Sequence, residues 1–213
     1  DGAPWYEPNS AIDDADPAAA MALLEEAGWV AGSDGVRERD GLRAEFRLVY
    51  GAGDSVRQGL ALAVADQASE VGIEITPEAG TWEEIASRLH EDAALFGWGS
   101  HDPTEMYNLY SSRYAGVEYW NPGFYENEVV DGHLEAALAS TDYEESLQHW
   151  RAAQLDEDGE GFTASADAAW AWLVNLDHTY YVHECLDLGA VQTEPHGHGW
   201  PITSGIAHWS WTC

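Results

Sequence analysis

Apolar and polar positions follow two periods along this chain, and the switches between them mark most of its elements. Asp16-Pro17 ahead of AAAMALLEEAGW sets a capping carboxylate before a Pro at the first helical position, so a helix is expected until Gly28 stops it. The next stretch, GVRERDGLRAEFRLVYG, alternates on both sides of Asp40-Gly41, a pair that favours a tight hairpin turn. Its stronger strand is expected at Arg43 to Tyr50. Helical spacing returns in VRQGLALAVADQASEVG, capped by Asp54 or Ser55 and ended by Gly72. IEITPEA reads as a short strand, and Thr81 with Glu84 forms a capping box ahead of the helix WEEIASRLHED. AALFGW is an apolar run expected to be a strand buried on both faces.

The pattern loosens afterwards. A helix is expected from Thr104 to Ser111, followed by the irregular aromatic loop SRYAGVEYWNPGFY. Two more helices are expected over Val129 to Ala139 and Tyr143 to Leu155, the second opened by an Asp142/Glu145 capping box. DEDGEGFTASAD is a loop, while WAWLVNL and TYYVHE read as strands. Helices alternating with strands give the α/β class, with a mixed β-sheet flanked by helices because the first strand pair is a hairpin.

Composition narrows the function classes. Hydrophobic residues make up 45% and charged residues 22% of 213 residues, an ordinary globular balance. The charge is not ordinary, with 39 acids against 8 bases, all of them Arg, and a formal net charge of -31. Such a surface repels phosphate backbones and anionic membranes, which argues against a nucleic-acid partner. No 18-residue apolar run is present to span a membrane. No signal peptide opens the sequence, so a targeting segment is expected to have been removed or to lie outside it. Eleven Trp and ten Tyr supply both a heavy core and a stacking surface for a ligand. The spacing of Cys185 and Cys213 leaves open whether they pair.

The chemistry concentrates in LFGWGSHDPTEMYNLY, residues 95–110. Ser100, His101 and Asp102 do not read as a nucleophilic triad, because three consecutive side chains diverge. Asp102 has the simpler job of capping a helix, with Pro103 at the first helical position and Glu105 three residues on. His101 stands just ahead of a helix N-terminus, where the dipole disfavours imidazolium. A neutral ring there accepts a hydrogen bond or binds a metal, and a strand end running into a helix start is where α/β folds place ligands.

Other clusters are weaker. His196 and His198 share one face if PHGHGWP is extended. They would need Asp187 or His208 as a third ligand to build a metal-dependent hydrolase, which is the competing enzyme reading. DEDGEG lacks the calcium-loop ligand pattern. The pairs Glu25/Glu26, Glu83/Glu84 and Glu144/Glu145 lie in predicted helices and read as dipole and solvation features. No Gly-rich phosphate loop or basic patch occurs.

Taken in order, DPAAAMALLEEAGW, VRERDG, GDSVRQGLALAVADQASEVGIEI, LFGWGSHDPTEMYNLY and DYEESLQHWRAAQ resemble the C-terminal part of family 5 solute-binding proteins. These are the extracytoplasmic receptors of oligopeptide, dipeptide and nickel ABC importers. The resemblance runs from about Trp5 to Trp211. It implies the second lobe of a type II periplasmic-binding-protein fold over residues 1–187, with residues 188–213 as a tail returning to an N-terminal lobe of the same protein. With that lobe absent, the tail is expected to pack improvised contacts or to leave Trp200, Trp209 and Trp211 exposed.

The resemblance implies binding rather than turnover, and so no enzyme and no cofactor. Trp98, Ser100, His101 and Arg113 are the ligand-binding residues it suggests, with His101 the one candidate metal contact. Peptide-binding members place an Asp three residues after this Trp to hold the ligand's amino group, and here His101 stands at that position. The turn is closer to the nickel branch, which runs Trp-Gly, a ligand-facing ring, then Asp-Pro. That branch carries a further His in the next loop; Ser112 to Asn121 has none, and Arg113 is available to clamp a chelate's carboxylate. The implied ligand is a nickel-like metal chelate or a short peptide, enclosed by hinge closure and delivered to importer membrane subunits from the periplasm or a cell-surface lipoprotein. A peptide chaperone or signalling receptor of the same fold is a third reading.

Overall fold

In the computed structural model, residues 3–10, 15–99, 102–155, 164–165, 167–176, 179–189 and 202–213 are described. They form two compact units. One comprises Ala11–Phe96 and Ala115–Phe124; the other comprises Asp1–Ser10, Gly97–Tyr114 and Tyr125–Cys213.

The first unit begins with α1 (Pro17–Glu26), whose cap Asp16 accepts a hydrogen bond from the Ala19 N–H at 2.9 Å. Three short strands follow, β1 (Val30–Ala31), β2 (Arg37–Arg39) and β3 (Leu42–Arg43), paired antiparallel in that order. Asp40 and Gly41 take φ of 54° and 81°. Both central residues of the tight turn are therefore left-handed, the geometry for which the Asp-Gly pair is suited. Arg37 is 4% exposed and braces this corner. Its Nε donates to the Val71 carbonyl at 2.7 Å and a terminal nitrogen donates to the Trp29 carbonyl at 2.9 Å. Gly72 must be glycine beside it: its φ is +86°, and a Cβ would meet Arg37 Cγ at 2.8 Å.

The strand expected from Arg43 to Tyr50 breaks at Ala44. β4 (Glu45–Gly51) leaves the hairpin and becomes the centre of a separate parallel sheet, between β5 (Glu74–Gly80) and β6 (Ala93–Ala94). The α/β class holds, with the two directions segregated into two small sheets. A two-residue turn permits only antiparallel pairing, while α2 (Ser55–Glu70), joining β4 to β5, is a helical crossover that makes the pair parallel. α2 is capped by Asp54 and α3 (Trp82–Arg88) by the expected Thr81/Glu84 box, both reciprocal bonds being present.

β4 is covered on both faces, as a central parallel strand must be. Leu48 and Tyr50 pack with Ala61 and Leu95, while Val49 packs with Ile85 and Leu89. The ladder to β6 stops after two residues, shorter than the AALFGW run suggests. Past the Leu95 N–H bond to the Val49 carbonyl at 2.9 Å, Phe96 leaves the ladder, its ring lying 6.0 Å from Trp82 and 5.5 Å from Tyr119. An ion cluster ties the sheet to α3. Asp92, with its side chain 4% exposed, accepts from Arg47 at 2.8 Å and from Arg88 at 2.5 Å, and Arg88 also forks onto Glu78. Burial pushes the Asp92 carboxyl up, but the two guanidinium groups outweigh it and hold the group below the usual carboxylate range.

The second unit is mainly helical, with α4 (Thr104–Tyr110), α5 (Glu128–Ala139) and α6 (Tyr143–Ala152). Asn127 caps α5 and Asp142 caps α6. Here the expected capping box is only half formed, because Glu145 accepts from the Ser140 hydroxyl at 2.8 Å. α5 and α6 pack together through buried Val130, Leu134, Ala137, Leu147 and Trp150.

WAWLVNL is not a strand. The run is irregular, and Trp172, Val174 and Leu176 are more than half exposed. The described part of TYYVHE is likewise irregular and exposed. A strand needs a neighbour for its backbone groups, and among the described residues no strand pairs with either run. β7 (Leu186–Asp187) and β8 (Ser210–Trp211) instead form a small antiparallel sheet beside a disulfide joining Cys185 and Cys213. Trp211 is 62% exposed and stacks on His183. Among the described residues no helix is long and apolar enough to cross a membrane.

Candidate ligand-binding site

The stretch between β6 and α4 enters the second unit at Gly97 and carries Trp98. Trp98 is half-buried, and the Trp170 ring meets it edge-on at 6.5 Å with an interplanar angle of 88°. Trp170 in turn stacks on Trp172 at 6.0 Å. Both added rings are anchored to α4: Trp170 Nε1–H donates to the Leu109 carbonyl at 3.3 Å, and Trp172 Nε1–H donates to the Tyr110 hydroxyl at 2.8 Å. Burial pushes the Tyr110 hydroxyl up, partly offset by that bond. A run that reads as a strand therefore serves as an aromatic bracket, with Trp170 edge-on to Trp98 and stacked on Trp172. Its only signal in the sequence is the density of Trp in WAW.

Asp102 accepts from the Thr104 N–H at 2.8 Å and from the Thr104 hydroxyl, restraining the first turn of α4 from one residue before its flanking Pro103. The cap read from the sequence is thus shifted by one residue: Pro103 is the N-cap and makes no side-chain bond, while Asp102 holds the first turn from outside the helix. Glu105 is not the partner in a box. Burial pushes its half-buried carboxyl above the usual range, a backbone bond from Gly99 opposes this, and the Asp102 charge adds to it. A carboxyl inclined to hold its proton thus sits against the Trp98 loop. Ser100 and His101 lie outside the described residues, as do His196, His198 and the DEDGEG loop.

Arg113 follows α4 in a 3-10 turn, Ser112–Tyr114, and is exposed. Trp98 precedes the same helix. α4 has seven residues, a rise of about 10 Å. Arg113 lines an open groove of about 590 Å³ with Glu126, Glu128, Asp131 and Glu135. One guanidinium among four carboxylates leaves the groove net negative, which favours a cationic over an anionic ligand group there. Asp131 is also structural, accepting from the Ser112 N–H at 2.8 Å and from its hydroxyl.

Two residues of the hydrolase constellation, His196 and His198, lie outside the described residues. Asp187 is occupied by the Gly189 N–H at 2.8 Å, and among the described residues no group of three or more His, Cys, Asp or Glu converges on a metal position.

A family model of the bacterial extracellular solute-binding proteins, family 5 Middle, matches residues 1–119. Protein XP55 of Streptomyces lividans is 39% identical over 193 residues, covering 90% of this chain and 34% of that protein. The oligopeptide-binding protein AppA of Bacillus subtilis is 27% identical over 132 residues, covering 58% of this chain and 24% of the relative. The chain thus spans 34% and 24% of the two curated relatives it matches. Among solved structures, NikZ from Campylobacter jejuni in complex with Ni(L-His) superposes with a TM-score of 0.71 at 24% identity, over 94% of this chain and 40% of that one. The chain belongs to the family 5 bacterial extracellular solute-binding proteins.

Proposed function

We propose that this chain is the second-lobe portion of an extracytoplasmic receptor that captures a metal chelate or short peptide and delivers it to the membrane subunits of an ABC importer. Family membership is the observation that carries this reading. The disulfide between Cys185 and Cys213 suits an oxidising compartment, either periplasm or cell surface.

Trp98, braced edge-on by Trp170, provides the ring against which a ligand stacks. Ser100 and His101 follow it in the chain and supply a hydroxyl and a ring nitrogen. A neutral imidazole coordinates a chelated metal, whereas it lacks the charge to hold an ammonium as a carboxylate does. The acidic groove around Arg113 would receive the positively charged end of the ligand, with Arg113 pairing any carboxylate the ligand carries. Residues 1–187 act as the lobe and 188–213 as a segment that joins the N-terminal lobe, closure between lobes enclosing the solute.

The test uses the full-length protein. Thermal shifts against nickel with histidine, other metal chelates and short peptides should single out one class as stabilising. Trp98→Ala and His101→Ala should each remove that shift. An undiminished shift in both variants would reject the assignment of this loop as the site.

A further inference from the structure

His133 and His149 take no part in the ligand capture proposed above. They project from α5 and α6, both half-buried, with their Nδ1 atoms 3.3 Å apart and their ring planes inclined by 38°. In the metal-free protein one Nδ1–H donates to the other Nδ1, and the proton keeps two lone pairs from opposing each other.

We propose that this pair supplies two ligands of a Zn²⁺ site. Two imidazole nitrogens bound to a tetrahedral Zn²⁺ at about 2.0–2.1 Å stand roughly 3.3–3.4 Å apart. The observed separation of 3.3 Å matches that edge. A cis pair on a square-planar ion such as Cu²⁺ would stand closer, at about 2.9 Å. The spacing suits a tetrahedral cation better than a square-planar one. Binding asks for little movement: each ring turns by roughly 35° so that its lone pair aims at the ion rather than at the other nitrogen. The ring torsion of His is broad, so the turn is cheap.

Proton balance is simple. The ring that carries hydrogen on Nδ1 shifts to its Nε2–H tautomer through solvent, and two neutral imidazoles then offer two Nδ1 lone pairs without net proton release. The scaffold is rigid. Asn127 and Asp142 cap the two helices, and Ser146 Oγ donates to the Ala137 carbonyl at 2.9 Å between them. Donors held on packed helices retain their spacing better than donors on loops. The net charge of -31 enriches cations around the whole chain.

The test is a ZnCl2 titration of the protein at neutral pH, by calorimetry and by imidazole ¹⁵N resonances, on the unaltered chain, His133→Gln, His149→Gln and the double variant. The unaltered chain should bind one equivalent of Zn²⁺ more than any variant, with the three variants alike because half a pair is no site. MgCl2 and CaCl2 should not compete, since those ions take oxygen ligands. On the unaltered chain, Zn²⁺ should move the Nδ1 resonances of both residues together. That readout needs no variant and so remains decisive should a substitution unfold the helices. Equal Zn²⁺ stoichiometry in all four proteins, or Nδ1 resonances unmoved at saturation, would overturn the proposal.

Discussion

Two seven-residue runs, EFRLVYG at 45–51 and WAWLVNL at 170–176, have similar apolar weight, and both read as strands. The first is the centre of a parallel sheet, with Leu48, Val49, Tyr50 and Gly51 buried. The second forms no strand and leaves most of its large side chains in solvent. What separates them is the availability of a partner. β4 receives one neighbour through α2 along its whole length and another after α3 at Leu48 and Val49, so its buried half is paired on both edges. The 170–176 run meets rings, Trp98 and Tyr110, and rings satisfy no backbone ladder.

The largest expected effect lies in the first region. Ile85, 1% exposed and packed on Val49, should cost about 2–5 kcal/mol on truncation to Ala. Leu176→Ala, at a residue 58% exposed, should stay within about 0.5 kcal/mol. Urea unfolding of both variants checks the contrast, and comparable losses would erase the distinction drawn here. Next comes the disulfide, which spans a separation of 28 residues. Loop-closure entropy puts its contribution at about 3–4 kcal/mol, so a Cys185→Ala/Cys213→Ala double variant should lose protection of the β7–β8 amides in hydrogen exchange while β4 stays protected.

A smaller effect depends on pH. The Asp92 carboxyl is held below its ordinary value of 3.8 by Arg47 and Arg88 in spite of burial. A lowered folded-state pKa stabilises above the unfolded value and is lost as pH falls through the folded value. The unaltered protein should therefore lose stability below about pH 4 more steeply than Asp92→Asn, as followed by urea midpoints across an acid series. Parallel profiles would show that the cluster contributes nothing. The smallest effect is local: Thr81→Ala removes the capping box of α3 and should cost about 1 kcal/mol in the same assay.

The features legible from sequence were those in which cause and effect lie within a few residues. Asp16, Asp54, Thr81 with Glu84, and Asp142 announce their helices because a cap acts on the next turn. Asp40-Gly41 announces its turn because only left-handed residues close it. The split of strands into two sheets, the early end of β6 and the exposed 170–176 run depend on what lies across space, which periodicity does not report. The site divides the same way. The bond from Asp102 to the first turn of α4 was readable from one stretch, although the cap itself falls at Pro103, whereas Trp170, Trp172 and the carboxylates around Arg113 come from sequence positions far downstream.

The most direct measurement is calorimetric titration of the full-length protein with whichever solute class stabilises it, compared with Trp98→Ala. Loss of a stacking ring worth about 1.5–3 kcal/mol should weaken binding at least about tenfold while leaving the unliganded melting temperature nearly unchanged. Binding of equal strength in the variant would contradict solute capture at the Trp98 loop.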